Sequence, residues 1–463
     1  MCIRDSAVIT HRNLVCNLEW RRCSGHSTAA DRILLHSSLS FDVAVCEIFS
    51  PLLAGGVLVV AAPDVYADIQ SFAQSITTNR VTVMYAVPSF LQLLIEDDKF
   101  VENSHLRYII AGGETLSATL RNRILERLDV TLVNAYGPTE TTIGVVFHHC
   151  QKGQSDTQVP IGRPMSNTQL YIADRYQQLV PSGHPGELYI GGDCVGKGYL
   201  NRLELNRQVF IDNPFRPGSG RVYRTGDLVR YKAGHGDDAP EIEFLGRIDN
   251  QIKLRGFRIE PGEIEAALIN NSEIDDAVVV LNEESAEPRL VAYFVKNQSS
   301  TKSTQTESLD IDLLKSYLAQ SLPHYMVPAV LIPIDSIPKN INGKRNLSLL
   351  PRPGDLHRIK EHIEPNSRTE KQLASIWKDL LDIEEVGLHD DFFQLGGHSL
   401  IALKTISRIK QVCNVDLALR TLLEYSTLES LSQAIDNRIW LIGSEQHHPC
   451  DRTGQFPAEE GEI

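Results

Sequence analysis

Four short strings in this chain set chemically capable residue types at close spacing. Asn134–Thr142 reads NAYGPTETT and places Tyr136, Thr139 and Glu140 almost side by side. An aromatic face stacks on a nucleobase, a hydroxyl donates to phosphate, and a carboxylate is a hard oxygen ligand for Mg²⁺. Tyr223–Tyr231, YRTGDLVRY, holds Asp227, and an ionised carboxylate can accept from two hydroxyls at once. Asn342-Gly343-Lys344 carries an ammonium on a turn-forming dipeptide, with Lys339 a nearby competitor for any role given to it. The string DDFFQLGGHSL, Asp390–Leu400, holds Ser399 at a loop-to-helix junction. A helix N-terminus favours the negative charge of a phosphodiester there, and Ser399 equally suits an N-cap.

These residues need a scaffold. Ile33 to His36 reads as a strand, Val43 to Leu53 as a helix, and VLVV after Gly55-Gly56 as a buried strand. Val81–Leu94 continues as strand, turn and helix, and Leu106–Ser117 as a strand closed by a glycine pair. Alternating strands and helices predict a mostly parallel sheet with ligands at the strand ends. Gly186–Arg202 alternates like another strand. From Asn250 to about Pro351 two strand-like runs, a polar loop and a helix with Ile311, Leu314 and Leu318 on one face predict a small α+β domain. Beyond Pro365, Leu373, Ile376, Trp377, Leu380 and Leu381 share a helical stripe, and Ala402, Leu403, Ile406 and Ile409 form the next. A Ser426-x-x-Glu429 capping box then opens a helix with Leu428, Leu431 and Ile435 inward. This pattern fits a bundle of about four helices.

Between sheet and small domain lies GRIDNQIKLRGFRIEPGEIE, Gly246–Glu265. It runs from an extended segment into a helix start marked by Pro261, Glu263 and Glu265. The string resembles the hinge motif of adenylate-forming enzymes at nearly every defined position. DDFFQLGGHSL resembles the attachment motif of peptidyl carrier domains. Together they identify the chain as similar to a nonribosomal peptide synthetase module.

The resemblance implies an α/β large adenylation subdomain truncated at its N-terminus, a small α+β lid and an all-α four-helix carrier. The expected boundaries are 7–248, 249–352 and 366–438, with a foreign leader at 1–6, a linker at 353–365 and a tail at 439–463 leading toward a condensation domain. AVITHRNL, Ala7–Leu14, looks like the segment that follows the family's phosphate-binding loop, so that loop is expected to precede Ala7 in a parent protein. Implied roles follow. Tyr136 stacks on adenine, Thr139 meets the α-phosphate and Glu140 helps hold Mg²⁺. Asn134 lies beside them, Asp227 accepts from the ribose hydroxyls and Arg247 sits near the ribose and α-phosphate. Lys344 is the catalytic lysine, Asp249 the hinge, and Ser399 carries 4′-phosphopantetheine. Asp42 pairs with the α-ammonium of an amino acid, although it also stands where a helix cap would. The substrate pocket is completed by Val43, Cys46, Tyr85, Ile109, Ala111, Ala135, Ile143 and Gly144, a mostly apolar lining that suggests an apolar or aromatic amino acid.

The implied activity uses ATP to form an aminoacyl-adenylate and then loads the acyl group as a thioester on the carrier arm. A phosphopantetheinyl transferase and neighbouring synthetase domains are the implied partners. Two other readings remain open: an inactive fragment serving only as a carrier, and a stand-alone acyl-CoA ligase. The bulk numbers agree with a globular enzyme. The chain has 463 residues, enough for about three domains, with 42% hydrophobic and 22% charged content. A formal charge of −14 gives no footprint for nucleic acid, and no apolar run is long enough to span a membrane. The eight cysteines lack metal or disulfide spacing and suggest reduced thiols in a cytoplasmic setting.

Overall fold

The computed structural model describes residues 6–445 apart from 62–68, 103–104, 155, 233–239, 255, 283–287, 298–310, 340–344, 352–362, 382, 384, 394, 396, 398, 418–420 and 423–424. The chain divides into two compact units, 1–353 and 354–463. Among the described residues no helix is long and apolar enough to cross a membrane.

The first unit is built on a seven-stranded sheet. Its order is Val57–Val60, Arg32–Leu35, Val83–Ala86, Tyr108–Gly112, Thr131–Tyr136, Val146–His149 and Arg163–Pro164. The first five strands are parallel, and the last two turn antiparallel. Helices cover both faces, so successive residues of a strand enter different cores. Met84, Ile109, Ala111 and Leu132 pack on one side. Tyr85, Ile110, Val133 and Cys46 pack on the other.

A second, antiparallel sheet of five strands adjoins this core. Arg221–Tyr231 is its long central strand, paired with Gly186–Gly192, Phe210–Asp212 and Ile242–Arg247. In that ladder Asp227 stands directly opposite Arg247. The strand carrying Arg247 therefore ends beside the Thr-Gly-Asp turn, and the chain leaves the sheet there.

It re-forms at once as a hairpin, Ile252–Leu254 against Phe257–Ile259. The helix Pro261–Ile269 follows, with proline in its first turn as the sequence predicts. Ile274–Asn282, Arg289–Lys296 and Val330–Pro333 then make a three-stranded sheet. Ile264, Leu268, Leu314 and Leu318 cover its inner face. The small α+β domain thus matches its expected outline.

The second unit is helical. Arg368–Leu381, Ser399–Cys413 and Leu428–Glu445 are its helices among the described residues. Leu373, Ile376, Trp377, Ile406, Ile409 and Leu431 meet in one core. The Leu403 side chain of the predicted stripe lies outside the described residues.

Candidate nucleotide and acyl site

Tyr136 ends its strand facing the antiparallel sheet, and its hydroxyl donates to Asp227 Oδ2. Asp227 is 2% exposed. Its other oxygen accepts from Arg247 Nη1 at 2.6 Å. A carboxylate has about four acceptor directions, so both oxygens keep room for further donors. Burial, and then the charge of Asp227, hold the Tyr136 hydroxyl well above its ordinary pKa. It remains a donor at any physiological pH.

Arg247 does more than the sequence implies. Its Nε and Nη2 each lie 2.6 Å from an oxygen of Asp249, a two-pronged pairing. One guanidinium therefore bridges Asp227 and Asp249. Burial would raise the Asp249 carboxyl, but Arg247 outweighs it and leaves the pKa below its ordinary value. Gly226 makes this close approach possible. Its φ is +70°, and a Cβ there would sit 2.7 Å from Asp249 Oδ2.

Thr139 opens a short helical turn, Thr139–Thr141, with Glu140 buried within it. Glu140 receives Arg258 Nη1 at 2.9 and 3.0 Å and the Tyr199 hydroxyl at 2.5 Å. Burial alone would raise its carboxyl; Arg258 and Tyr199 reverse this and hold it low. Arg258 comes from the hairpin Ile252–Leu254 against Phe257–Ile259. Its cross-strand neighbour Lys253 places Nζ 5.3 Å from the ring centres of both Tyr136 and Phe244. Burial lowers the Lys253 pKa. Neither Lys253 nor Arg258 was singled out from the sequence. The available signal was their opposition across a tight hairpin, which turns two cations toward one side.

A divalent ion riding on nucleotide phosphates needs one or two carboxylates. Among the described residues no cluster of three or more His, Cys, Asp or Glu offers a self-sufficient metal site. Glu140 already accepts three bonds from protein donors, so about one acceptor direction is left for a Mg²⁺ ion riding on the phosphates.

The other predicted residues divide into groups. Asn134 is buried, and its amide donates to the Pro160 carbonyl at 2.8 Å. Asn134, Ala135, Tyr136, Phe244 and Lys253 line one narrow cleft with Gly113. Asp42 occupies the N-cap position of Val43–Ala54 but makes no side-chain capping bond there. Cys46, Tyr85 and Ile143 share a cluster with the half-buried Val43 and Ala135. Ile109 and Ala111 pack on the opposite face of the sheet. Thr142 and Ile143, next to Gly144, adopt φ of +68° and +69°, a costly conformation for β-branched residues. Asn17 pins them, donating to the carbonyls of Thr142 and Gly144 at 2.9 and 2.8 Å. Lys344 lies outside the described residues; Lys339 pairs with Arg345 across a bridge that flanks it.

In the helical unit Ser399 is the first residue of a 15-residue helix. Gly397 precedes it, pressed against Phe392. A Cβ on Gly397 would lie 2.3 Å from two atoms of that ring, so no larger residue fits. Ser399 thus stands at a helix end whose free N–H groups suit a phosphodiester, a fit to 4′-phosphopantetheine.

Residues 6–200 match the family of AMP-binding enzymes, 263–344 the AMP-binding enzyme C-terminal domain, and 371–435 the phosphopantetheine attachment site. Tyrocidine synthase 3 of Brevibacillus parabrevis is 38% identical over 431 residues, 92% of this chain and 6% of its own length. The chain thus carries AMP-binding enzyme and phosphopantetheine attachment domains and is similar to nonribosomal peptide synthetases. Bacitracin synthase 1 of Bacillus licheniformis is 38% identical over 411 residues, 88% of this chain and 8% of its own length. The chain therefore spans less than a tenth of these synthetases. Among solved structures, holo-PA1221, an NRPS protein with adenylation and PCP domains bound to a vinylsulfonamide inhibitor, is 27% identical at a TM-score of 0.70, covering 89% of this chain and 66% of that one. Adenylating members of the family use ATP and Mg²⁺, and the carrier takes 4′-phosphopantetheine.

Proposed function

We propose that this synthetase segment activates an amino acid with ATP and receives it as a thioester on its own carrier. In the first step a carboxylate oxygen attacks the α-phosphorus, forming aminoacyl-adenylate and releasing pyrophosphate. In the second, Ser399 would hold the phosphopantetheine, whose thiol would supply the nucleophile that takes the acyl group as AMP departs. The phosphopantetheine supplies the mobile thiol; everything else falls to the chain's own residues.

The observation that carries the reading is the bonded series Tyr136–Asp227–Arg247–Asp249. It joins an aromatic wall for adenine and a carboxylate for ribose to the proposed hinge through one guanidinium. Thr139 donates to the α-phosphate, Asp42 pairs with the substrate ammonium, and Lys344 offsets charge at the attack. Asp249 is the point about which 249–352 turns, so that one site serves both steps in succession. Holding the reactants in place supplies much of the rate in each. The reading extends to a cytoplasmic enzyme that takes its arm from a phosphopantetheinyl transferase and works beside a condensation domain.

ATP–pyrophosphate exchange with the twenty amino acids tests the first step. Mass analysis after a phosphopantetheinyl transferase and coenzyme A tests the second. Exchange with at least one amino acid and one added arm on Ser399 support the proposal. An arm without exchange leaves a carrier module alone; exchange without an arm points to an acyl-CoA ligase.

A further inference from the structure

Arg21 is 2% exposed, on the helix His11–Cys23, one turn beyond Asn17. Nothing in the sequence pattern marks it, and no pocket role attaches to it. The structure sets it against three of the predicted substrate-pocket residues. Its guanidinium carbon lies 5.6 Å from the Tyr85 ring centre and 5.2 Å from that of Phe147. A Cβ on Gly144 would come within 3.3 Å of its Nη2. Cys46 and, more weakly, Asp42 are near enough to interact with its charge.

This guanidinium is under-supplied with acceptors. Nε donates to Asn17 Oδ1 at 2.8 Å, and Nη1 reaches the Tyr85 hydroxyl only at 3.5 Å. Neither hydrogen of Nη2 meets an acceptor among the described residues. No described carboxylate forms an ion pair with Arg21. Cation–π contact with two rings softens the burial of a charge but leaves donors in the guanidinium plane unmet. A buried charge without a partner is strongly unfavourable.

We infer that Arg21 is the specificity determinant of the acyl pocket, and that the amino acid it selects ends in a side-chain carboxylate. The inference rests on the proposed adenylating function. Asp42 takes the ammonium common to every α-amino acid. Arg21 offers the Nη2 donors, which pack close against Gly144 and Phe147, to an anionic group at the far end. A carboxylate accepts from a guanidinium in two parallel bonds. An apolar side chain would leave the same donors buried and empty, which is the situation in which pockets discriminate most strongly. The apolar character of Val43, Cys46 and Ile143 then serves to exclude water around one charged contact. The apolar or aromatic substrate suggested by the lining alone gives way to an acidic one.

Calorimetric titration of the whole chain with sulfamoyl-adenosine analogues of glutamate, aspartate, glutamine, leucine and phenylalanine tests this without requiring turnover. An acidic analogue is expected to bind at least ~100-fold more tightly than the leucine one, in line with a donor left unpaired by the wrong ligand. Arg21→Met should erase that preference. Arg21→Lys keeps the charge in place but loses the planar fork, and should reduce acidic binding by about tenfold. Tighter binding of the leucine or phenylalanine analogue to the unmodified chain overturns the inference and leaves the adenylating function standing. Binding of none overturns both. An acidic preference that survives in both variants assigns selection to another residue and removes Arg21 from the role.

Discussion

Arg258 Nη1 lies 2.9 and 3.0 Å from the two carboxylate oxygens of Glu140, across 118 residues of sequence. The contact fastens the hairpin that follows Asp249 onto the turn that carries Thr139. It also limits what Glu140 can do, because Arg258 takes one acceptor direction on each of its oxygens. Arg258→Gln removes the charge and leaves Glu140 buried beside Tyr199. The hairpin should then loosen selectively. Amide exchange over Ile252–Ile259 is expected to accelerate at least ~10-fold, equivalent to about 1.4 kcal/mol or more of lost local protection. Exchange in the parallel strands should stay unchanged. Equal acceleration in both regions would mean that Arg258 is a general stability residue.

Arg247 answers two carboxylates at once, and only one of them is buried. Replacing it with methionine strands Asp227 in the core while Asp249 regains water. Removing one partner of a buried pair typically costs about 3–5 kcal/mol, and most of that should come from Asp227. The double variant Arg247→Met with Asp227→Asn should recover much of the loss in a denaturant titration. Addition of Asp249→Asn should recover little. Nucleotide binding stays weak in every variant lacking the Asp227 carboxylate.

The contrast between these residues shows what the sequence makes legible. Tyr136, Asp227 and Arg247 stand in strings whose residue types advertise a polar ligand, and the sheet brings all three together. Parallel pairing could be anticipated for the strands up to Tyr108–Gly112, because they alternate with helices. The antiparallel sheet was less visible, since its strands are separated by glycine turns with no helical signal between them. Arg258 and Lys253 were hidden within the hinge string, where their charge reads as solvated. Asn17 and Arg21 were hidden on a helix. Polar residues four apart on a helix normally mark its wet face, and only tertiary packing shows that this face is covered.

Asn17 is fully buried with both ends of its amide used. It donates to the carbonyls on either side of Ile143 and accepts from Arg21. Those two bonds hold Thr142 and Ile143 at positive φ, each at a strain of about 1–3 kcal/mol. Asn17→Asp keeps the size but replaces the donating amide with an acceptor. The loop should then relax, and unit 1–353 should lose about 1–3 kcal/mol from unmet carbonyls, the new carboxylate being paired by Arg21. Asn17→Asp combined with Ile143→Gly should lose less than the sum of the two single changes, because glycine removes the strain that Asn17 restrains. Strict additivity would show that the amide and the strained turn are independent.

His26 gives the same unit an acid sensitivity with a definite sign. Its ring stacks on His149 at 5.3 Å and meets Trp20 at 5.0 Å, and its Nε2 has no hydrogen-bond partner among the described residues. Burial, followed by the positive charge of Arg21, lowers its pKa to about 3. An unfolded histidine titrates near 6.5. Between those values the unfolded chain binds a proton that the folded chain refuses, so stability falls as pH falls. Above 6.5 neither state is charged and the contribution is flat. The slope approaches about 1.4 kcal/mol per pH unit. From pH 7.5 to 5.0 the native protein should therefore lose about 2 kcal/mol more than His26→Phe, which keeps the ring and removes the titration. Denaturant midpoints of both proteins at the two pH values measure the difference. Parallel losses would place the acid sensitivity in the carboxylates and exonerate His26.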